Sequence, residues 1–464
     1  MIFDFKSLNK LFVKLNIVFS KKLPNLDFIL LLKIINLINL NNFIKKSQWW
    51  SKEKIYTYQS KKLHELIVNS YENVPYYRKI FDKKNIDPNS IKTVDDIKKL
   101  PFLTKDIIRK NINQLKSTDY PEYIFQYTST SGSTGKPLNL YVNRLNHPVN
   151  SIVFHMLNLK RAGCSFFEKS VDLRGIVNIS NSDNKKFWKY SLFHRRLSLS
   201  PFYLTEEYIP CYIKKMREFN PKYIEAFPST IIKIARYMKK NNLKPLKNLK
   251  VIFSTGEFLY DWQYKLLEEV FKCRIFLTYG HSENTAVGGS CEKSNLYHFF
   301  PEYGIVELIG KNEELIREDG KKGEIVTTGF MNKLFPLIRY RTGDFGIYKK
   351  KCECGRNCFL LKEIQGKCKK KYIYTKDNRK IPFTSINIDF KIFNNVERFQ
   401  FYQNKKGVLV LRLIKTKKYS NDDAKKIKKQ LNSIFKNDID LKIELVDNIS
   451  GIKSGKFSYL VQDL

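Results

Sequence analysis

The chain has 464 residues, of which 42% are hydrophobic and 14% aromatic, and this composition excludes a disordered or low-complexity protein. This length exceeds what one hydrophobic core usually supports, so we expect two domains. The formal net charge of +39 raises the alternative of a nucleic-acid-binding protein. Because the lysines are scattered along the whole length and do not form long runs, we predict no nucleic-acid partner.

Eight cysteines in a chain with no evident secretory signal indicate the reducing cytoplasm. Residues 28–44 are partly apolar, but Lys33 and four asparagines interrupt them. We therefore predict an amphipathic helix that packs on the protein or rests on a membrane surface, and no membrane span. The expected location is cytoplasmic, with at most peripheral membrane contact.

The predicted elements divide the chain into two domains, residues 1–365 and 366–464. Residues 1–120 are predicted to be mostly helical, with helices over 56–71 and, capped by Thr93, over 94–100. Beyond residue 123, helices and strands alternate, which is typical of an α/β sheet that delivers functional groups at its strand ends. There we predict strands over 123–128, 138–142, 251–255 and 274–278, and helices over 208–219, 229–240 and 261–271. The second domain is a compact α+β unit, with strands over 372–374, 398–402, 408–414 and 442–446 and a helix over 422–435.

A run of hydroxyl-bearing residues and glycines, followed by a lysine, lies between the first two predicted strands. Glycines let backbone N–H groups approach an anion, hydroxyls donate hydrogen bonds and the lysine adds a positive charge, so this loop is predicted to bind phosphate. It is not the common phosphate loop, because Thr130 replaces the first glycine of that motif and Pro137 replaces its Mg²⁺-binding hydroxyl. A simple Ser/Thr/Gly linker is the alternative. The predicted phosphate-binding residues are Thr128, Ser129, Thr130, Ser131, Gly132, Ser133, Thr134, Gly135 and Lys136.

Three cysteines and one histidine form a candidate metal site, namely Cys291, His298, Cys352 and Cys354. Three thiolates and one imidazole are the ligands of a four-coordinate structural Zn²⁺ site, which would join two loops that are far apart in sequence. Cys358 is a spare ligand for the same site. The alternative is an ordinary Cys-x-Cys loop, with His298 a surface residue.

The loop at 127–138 resembles the phosphate-binding motif of the adenylate-forming enzymes, the superfamily of acyl-CoA synthetases and related ligases. The chain is most similar to the branch with phenylacetate–CoA ligases and capsular-polysaccharide-biosynthesis proteins, through residues 74–78, 100–105 and 352–356. The similarity runs from about Gln59 to Lys456. Three further motifs follow in the order that this superfamily shows: YGHSE at 279–283, RYRTGD at 339–344 and SGK at 454–456.

The resemblance implies an α/β fold: a large N-terminal adenylate-forming domain of layered sheets and helices, and a small mobile α+β C-terminal domain. It implies ATP-dependent adenylation of a carboxylic acid, with pyrophosphate release, and then transfer of the acyl group to an acceptor. In that scheme Glu283 ligates Mg²⁺, Asp344 accepts hydrogen bonds from the ribose hydroxyls, and Lys456 is the catalytic lysine. The other residues that the resemblance places at the nucleotide are Gly256, Glu257, Tyr279, Gly280 and Lys367.

The sequence leaves several alternatives for the carboxylic acid and for the acceptor of the acyl group. Arg174 favours an acid with a second carboxylate or a sugar-linked acid, whereas Phe227 favours an aryl group. The acceptor is CoA, as in an aryl-acetate–CoA ligase, or an amino sugar or another amine, as the polysaccharide resemblance suggests. Transfer of AMP itself to an acceptor is a third alternative. The hinge motif, usually Gly-Arg-x-Asp-Asp, reads GKCKK at 366–370, and this difference also raises the alternative of a non-catalytic scaffold.

Overall fold

The computed structural model describes residues 26–129, 138–174, 188–201, 204–365, 372–382, 390–393, 395–435, 438–449 and 459–464. Most of the predicted phosphate loop, at 130–136, lies outside these residues, as do Lys367 and Lys456. The boundary between the two predicted domains, at 365/366, falls at the edge of a segment that is likewise not described, so it stays a prediction.

The helices begin and end where local chemistry dictates. The Ser51 side chain accepts a hydrogen bond from the backbone N–H of Lys54 and caps the second helix, and Pro75 opens the third. Asn220 takes the left-handed conformation (φ 55°) that ends the helix before it. The α-helices are α1 Leu26–Ser47, α2 Lys52–Asn73, α3 Pro75–Lys83, α4 Lys105–Lys110, α5 Asn146–Arg161, α6 Ile209–Phe219, α7 Pro228–Lys240, α8 Asp261–Phe271 and α9 Asn421–Phe435. Short 3₁₀-helices span Pro88–Ser90, Val94–Lys99, Glu122–Ile124 and Phe390–Phe393.

Twenty strands are present in the described part of the chain. The first fourteen are β1 Phe125–Ser129, β2 Asn139–Asn143, β3 Ser170–Leu173, β4 Trp188–Ser191, β5 Arg196–Leu199, β6 Tyr223–Ala226, β7 Val251–Ser254, β8 Arg274–Gly280, β9 Val287–Gly289, β10 Tyr297–Phe299, β11 Gly304–Ile309, β12 Lys322–Gly329, β13 Tyr340–Lys349 and β14 Leu360–Gln365. The others are β15 Tyr372–Tyr374, β16 Lys380–Pro382, β17 Val396–Lys405, β18 Val408–Lys415, β19 Asp440–Leu445 and β20 Leu460–Gln462.

A twelve-stranded sheet organises the chain up to residue 365, in the order β11-β12-β13-β14-β10-β9-β8-β7-β6-β3-β5-β4. Strands β5, β3, β6, β7 and β8 run parallel, whereas β9 to β14 pair antiparallel. Every residue of β6 and β7 is buried, as expected where helices cover both faces of a parallel sheet. Helix α5 packs on one face against Tyr223, Phe253 and Phe276. Helices α6, α7 and α8 pack on the other face.

The C-terminal residues form a separate four-stranded sheet, in the order β19-β18-β17-β20, which packs with α9 around its own core. This is the α+β unit predicted from the sequence, and the α/β fold class is confirmed. The predicted helices over 208–219, 229–240, 261–271 and 422–435 match α6, α7, α8 and α9 within one residue at each end. Helix α1 is five residues longer than the predicted 28–44, and none of the described helices combines the length and apolarity that crossing a membrane requires.

Candidate active site

Two acidic side chains from distant parts of the sheet are held by tyrosines in one crevice. The Tyr340 hydroxyl donates to Glu283 Oε1 at 2.6 Å, and His281 Nδ1 lies 3.4 Å from Glu283 Oε2. The Tyr279 hydroxyl donates to Asp344 Oδ2 at 2.8 Å. Tyr279 and Glu283 belong to the β8 end, whereas Tyr340 and Asp344 belong to β13, so each hydrogen bond joins the two predicted motifs.

The two carboxylates differ in their electrostatics. Burial raises the pKa of Asp344 above its usual range. Burial acts the same way on Glu283, but hydrogen bonds from His281 and Tyr340 outweigh it and hold the pKa of Glu283 at about 2. Glu283 is therefore an ionised, acceptor-only group with one tyrosine donor, which is the kind of oxygen ligand that Mg²⁺ prefers.

Lys105 lies beside both acids, a position that its sequence motif did not predict. Its Nζ donates to the carbonyl of Thr342 at 3.2 Å, and burial lowers its pKa while Glu283 and Asp344 oppose that shift. The residue reaches this position because Leu103 exchanges backbone hydrogen bonds with residues 339 and 341, which docks the 100–105 segment beside β13. The only sequence signal was that 100–105 belongs to the branch-specific motifs.

The remaining predicted nucleotide-binding residues lie at strand ends. Gly256 follows β7 with φ 74°, a conformation that favours glycine. Glu257 accepts hydrogen bonds from the Ser229 backbone and hydroxyl, both at 2.9 Å, so it caps the first turn of α7. Thr128 and Ser129 end β1, which pairs antiparallel with β2, so the predicted phosphate loop joins strand to strand as expected. The last of the predicted set, Gly280, is the final residue of β8.

Arg339, within the RYRTGD motif, forms a buried ion pair that braces the crevice. Its guanidinium donates to both oxygens of Glu307, at 2.8 and 3.2 Å, and to the Leu100 carbonyl at 2.7 Å. The ring of Phe102 stacks 4.1 Å from the guanidinium carbon. Since Leu100 and Phe102 belong to the segment that carries Lys105, the ion pair holds that segment against β13.

We expect Arg339→Met to lower the free energy of unfolding by about 3 to 5 kcal/mol, because it leaves the Glu307 carboxylate buried and unpaired. Denaturant unfolding measures this change. The double variant Arg339→Met/Glu307→Gln removes the stranded charge and is expected to recover part of the loss. Equal losses in the single and double variants would show that the ion pair is not the cause.

The four predicted metal ligands converge. Their ligand atoms all lie within 4.8 Å of one another, with Cys291 Sγ 3.6 Å from Cys352 Sγ and Cys354 Sγ 3.2 Å from His298 Nε2. A disulfide needs about 2.05 Å, so Cys291 and Cys352 are not bonded to each other. Two thiolates on a tetrahedral Zn²⁺ with bonds of about 2.3 Å lie roughly 3.8 Å apart, close to the observed spacing.

His298 is oriented as a metal ligand. It is fully buried, so the alternative of a surface histidine is wrong. Its Nδ1 lies 2.9 Å from the Leu296 carbonyl, to which it can only donate, and this leaves the lone pair on Nε2 directed at the thiols. Cys358, the spare ligand, lies outside this cluster.

The chain is similar to one family model and to several known proteins. A family model described as the CapK C-terminal domain matches residues 373–463. Protein CapK of Staphylococcus aureus is 25% identical over 427 residues, which cover 88% of this chain and 90% of that protein. A phenylacetate-coenzyme A ligase of Thermus thermophilus is 24% identical over 331 residues, which cover 68% and 71% of the two chains.

Solved structures share the fold. The crystal structure of 2-hydroxyisobutyryl-CoA ligase in the postadenylation state, in complex with R3-HIB-AMP, has a TM-score of 0.66 at 16% identity and covers 90% of this chain and 93% of that chain. The same ligase in complex with 2-HIB-AMP and CoA, in the thioesterification state, has a TM-score of 0.56 at 16% identity, with 90% and 91% covered.

Proposed function

We propose that this chain is an adenylate-forming enzyme of the branch of the phenylacetate–CoA ligases and CapK, to which it is similar, and that it uses ATP to adenylate a carboxylic acid and releases pyrophosphate. The observation that carries the proposal is the pairing of Glu283 with Asp344 through Tyr340 and Tyr279. Two motifs 60 residues apart meet in one crevice, as a site that holds both the metal and the sugar of a nucleotide requires.

Each residue then has a role set by its chemistry. Glu283 offers an ionised oxygen for Mg²⁺, which neutralises phosphate charge when bound. Asp344 accepts from the ribose hydroxyls, and Tyr279 keeps that carboxylate oriented. The ammonium group of Lys105 offsets the negative charge of the two carboxylates and places a positive charge beside them. The loop at 128–136 would donate to the phosphates, and Gly256 would leave room for the base.

Lys456 is proposed to stabilise the charge that develops as the α-phosphorus is attacked. The expected result for Lys456→Ala is a fall of about 10²- to 10³-fold in acid-dependent ATP–pyrophosphate exchange, with unchanged ATP affinity, because the lysine would act in the transition state. Isotope exchange and equilibrium binding separate the two effects. Lys417→Ala, an exposed lysine of the same C-terminal unit, is the control. An undiminished exchange rate in Lys456→Ala would refute the assignment.

The acyl acceptor is proposed to be CoA, or an amino sugar or another amine in cell-surface polysaccharide synthesis. The similarity to the coenzyme A ligases favours CoA, and the CapK C-terminal match favours the polysaccharide role. Adding CoA or amino sugars to the adenylation reaction separates these, because only the true acceptor consumes the acyl-adenylate. Nucleotide binding with no exchange for any acid would instead support a non-catalytic scaffold, which the altered 366–370 motif raised.

The cluster of Cys291, His298, Cys352 and Cys354 is proposed to hold a structural Zn²⁺. All four ligands come from the protein, so no position stays open for water and the ion would have no catalytic step. The cluster joins the segment after β9, strand β10 and the β13–β14 loop. A bidentate pair between Arg356 and Glu292, at 2.6 and 2.8 Å, fastens the same two loops. The ion would thereby brace the strands that present Glu283 and Asp344.

A further inference from the structure

A second charged cluster lies on the parallel half of the sheet, with no role in the proposed nucleotide site. The Arg174 guanidinium donates to both oxygens of Asp172, at 3.2 and 3.1 Å, and to Glu225 Oε2. Arg196 lies 3.5 Å from each of the same two acids. His155, from α5, places its Nε2 2.8 Å from Glu225 Oε1. Five ionisable side chains from four elements therefore meet at one point.

The cluster lies where an α/β sheet binds ligands. After β3 the chain passes to β4 and β5 on one side, whereas after β6 it passes to β7 on the other side. At such a point of an open parallel sheet, ligands bind outside the carboxyl ends of the neighbouring strands. Asp172 and Glu225 are direct partners in the register of β3 and β6, one residue before the strand ends, and Arg174 follows β3.

Helix α7 links this cluster to the predicted nucleotide site. Ser229, four residues after Glu225, donates two hydrogen bonds to Glu257, the neighbour of Gly256. Thr230 donates to the Leu173 carbonyl, at 3.3 Å, just before Arg174. The start of α7 thus touches both the predicted adenine-binding turn and the end of β3. An acid activated at the nucleotide would reach the cluster through this junction.

The cluster is partly open: its basic side chains are the most exposed, and the side chain of Asp172 is 14% exposed. The side chain of Glu225 is 1% exposed, whereas those of Arg174, His155 and Arg196 are 29%, 26% and 23% exposed. Nη1 of Arg174 has no hydrogen-bond partner among the described residues, although the other guanidinium donors are engaged. A buried ion network is weak evidence for a stabilising role, because apolar residues stabilise such positions as well or better. Its exposed edge instead offers a donor to a ligand.

We propose that this cluster lines the acyl-binding part of the site and selects a hydroxylated aliphatic carboxylic acid over an arylacetic acid. The inference rests on the proposed adenylation. Two guanidiniums face two carboxylates, so the cluster is already balanced in charge and gains little from a second carboxylate on the substrate. A substrate hydroxyl group can accept a hydrogen bond from Arg174 and donate one to Asp172, so it is complementary to both the positive and the negative group. An aromatic ring would desolvate the same groups and return no hydrogen bonds.

The test is ATP–pyrophosphate exchange with a panel of acids: glycolate, glycerate, gluconate and glucuronate, against succinate and phenylacetate. We expect at least one hydroxylated acid to exceed phenylacetate about tenfold or more in kcat/KM. Arg174→Gln is expected to lower kcat/KM for that acid about 10- to 100-fold, while the KM for ATP and the kcat/KM for phenylacetate stay within about threefold.

Arg174→Lys keeps the positive charge but loses the planar guanidinium that donates to two acceptors at once. We therefore expect a smaller loss of kcat/KM for the hydroxylated acid than in Arg174→Gln, again with little change for phenylacetate. Arg195→Gln, an exposed arginine in the β4–β5 turn, is the matched control, and thermal unfolding checks that each variant folds. Best use of phenylacetate or succinate by the unmodified chain, or an equal loss for every acid in both Arg174 variants, would overturn this inference and leave adenylation standing. No exchange with any acid would overturn the proposed function itself.

Discussion

Glu283→Gln is expected to lower acid-dependent ATP–pyrophosphate exchange about 10²- to 10³-fold. The residue is 6% exposed, and hydrogen bonds keep the pKa of its carboxyl at about 2, so the unmodified residue is fully ionised at neutral pH. Glutamine preserves the size of the side chain and still accepts from the Tyr340 hydroxyl. What it loses is the negative oxygen that would ligate Mg²⁺, so the exchange rate changes far more than the stability does.

Three measurements interpret the Glu283→Gln result. The Mg²⁺ concentration for half-maximal exchange is expected to rise, because the metal would lose a ligand. Thermal unfolding is expected to change little, since the hydrogen bond to Tyr340 persists. Glu218→Gln, at an exposed position on α6 where Glu218 pairs with Lys215, is the control and should match the unmodified chain. Exchange that survives in Glu283→Gln with an unchanged Mg²⁺ requirement would remove Glu283 from the site.

The second large effect is expected at the thiol–imidazole cluster. Purified protein should contain about one equivalent of zinc, and Cys352→Ser should lose it and lower the free energy of unfolding by about 3 kcal/mol or more. The reason is that the ion would join two loops that are far apart in sequence, which the Arg356–Glu292 pair also links. Metal analysis and denaturant unfolding, in the presence and absence of a chelator, measure both quantities.

The control for Cys352→Ser is Cys211→Ser, because Cys211 is exposed on α6, away from the four ligands. It should keep both the zinc and the stability of the unmodified chain. Chelator treatment should destabilise the unmodified chain and the control to the level of Cys352→Ser, but leave Cys352→Ser unchanged. Protein that contains no zinc, or a Cys352→Ser variant as stable as the control, would contradict the structural-zinc proposal.

Local patterns in the sequence identified much of the fold. The amphipathic patterns predicted the helices now seen over 209–219 and 421–435, and the apolar run of β7 predicted a buried strand. The short antiparallel strands β9 to β14 were not predicted, because strands of three to ten residues that pair with distant segments leave little periodic signal. Their order depends on cross-strand pairing that one sequence does not display.

The candidate site, like the fold, was predicted where the signal is local in sequence and missed where it depends on distant segments. Glu283 and Asp344 were found because each lies within a short motif, and the metal ligands were found because cysteine and histidine are few. The Tyr340–Glu283 contact was not found, since it needs β13 to approach the β8 end. The cluster around Arg174 was found only as an isolated arginine. Its partners, such as Glu225, lie about 50 residues away and become neighbours only when β3 pairs with β6.

The most direct test of the proposed active site is a crystal structure of this protein with Mg²⁺ and a non-hydrolysable ATP analogue. We expect the triphosphate beside the glycine–hydroxyl loop at 130–136, the metal ion on the carboxylate of Glu283, and the ribose hydroxyls on Asp344. A nucleotide bound elsewhere on the molecule, or one that contacts neither carboxylate, would contradict the proposed active site and the activity inferred from it.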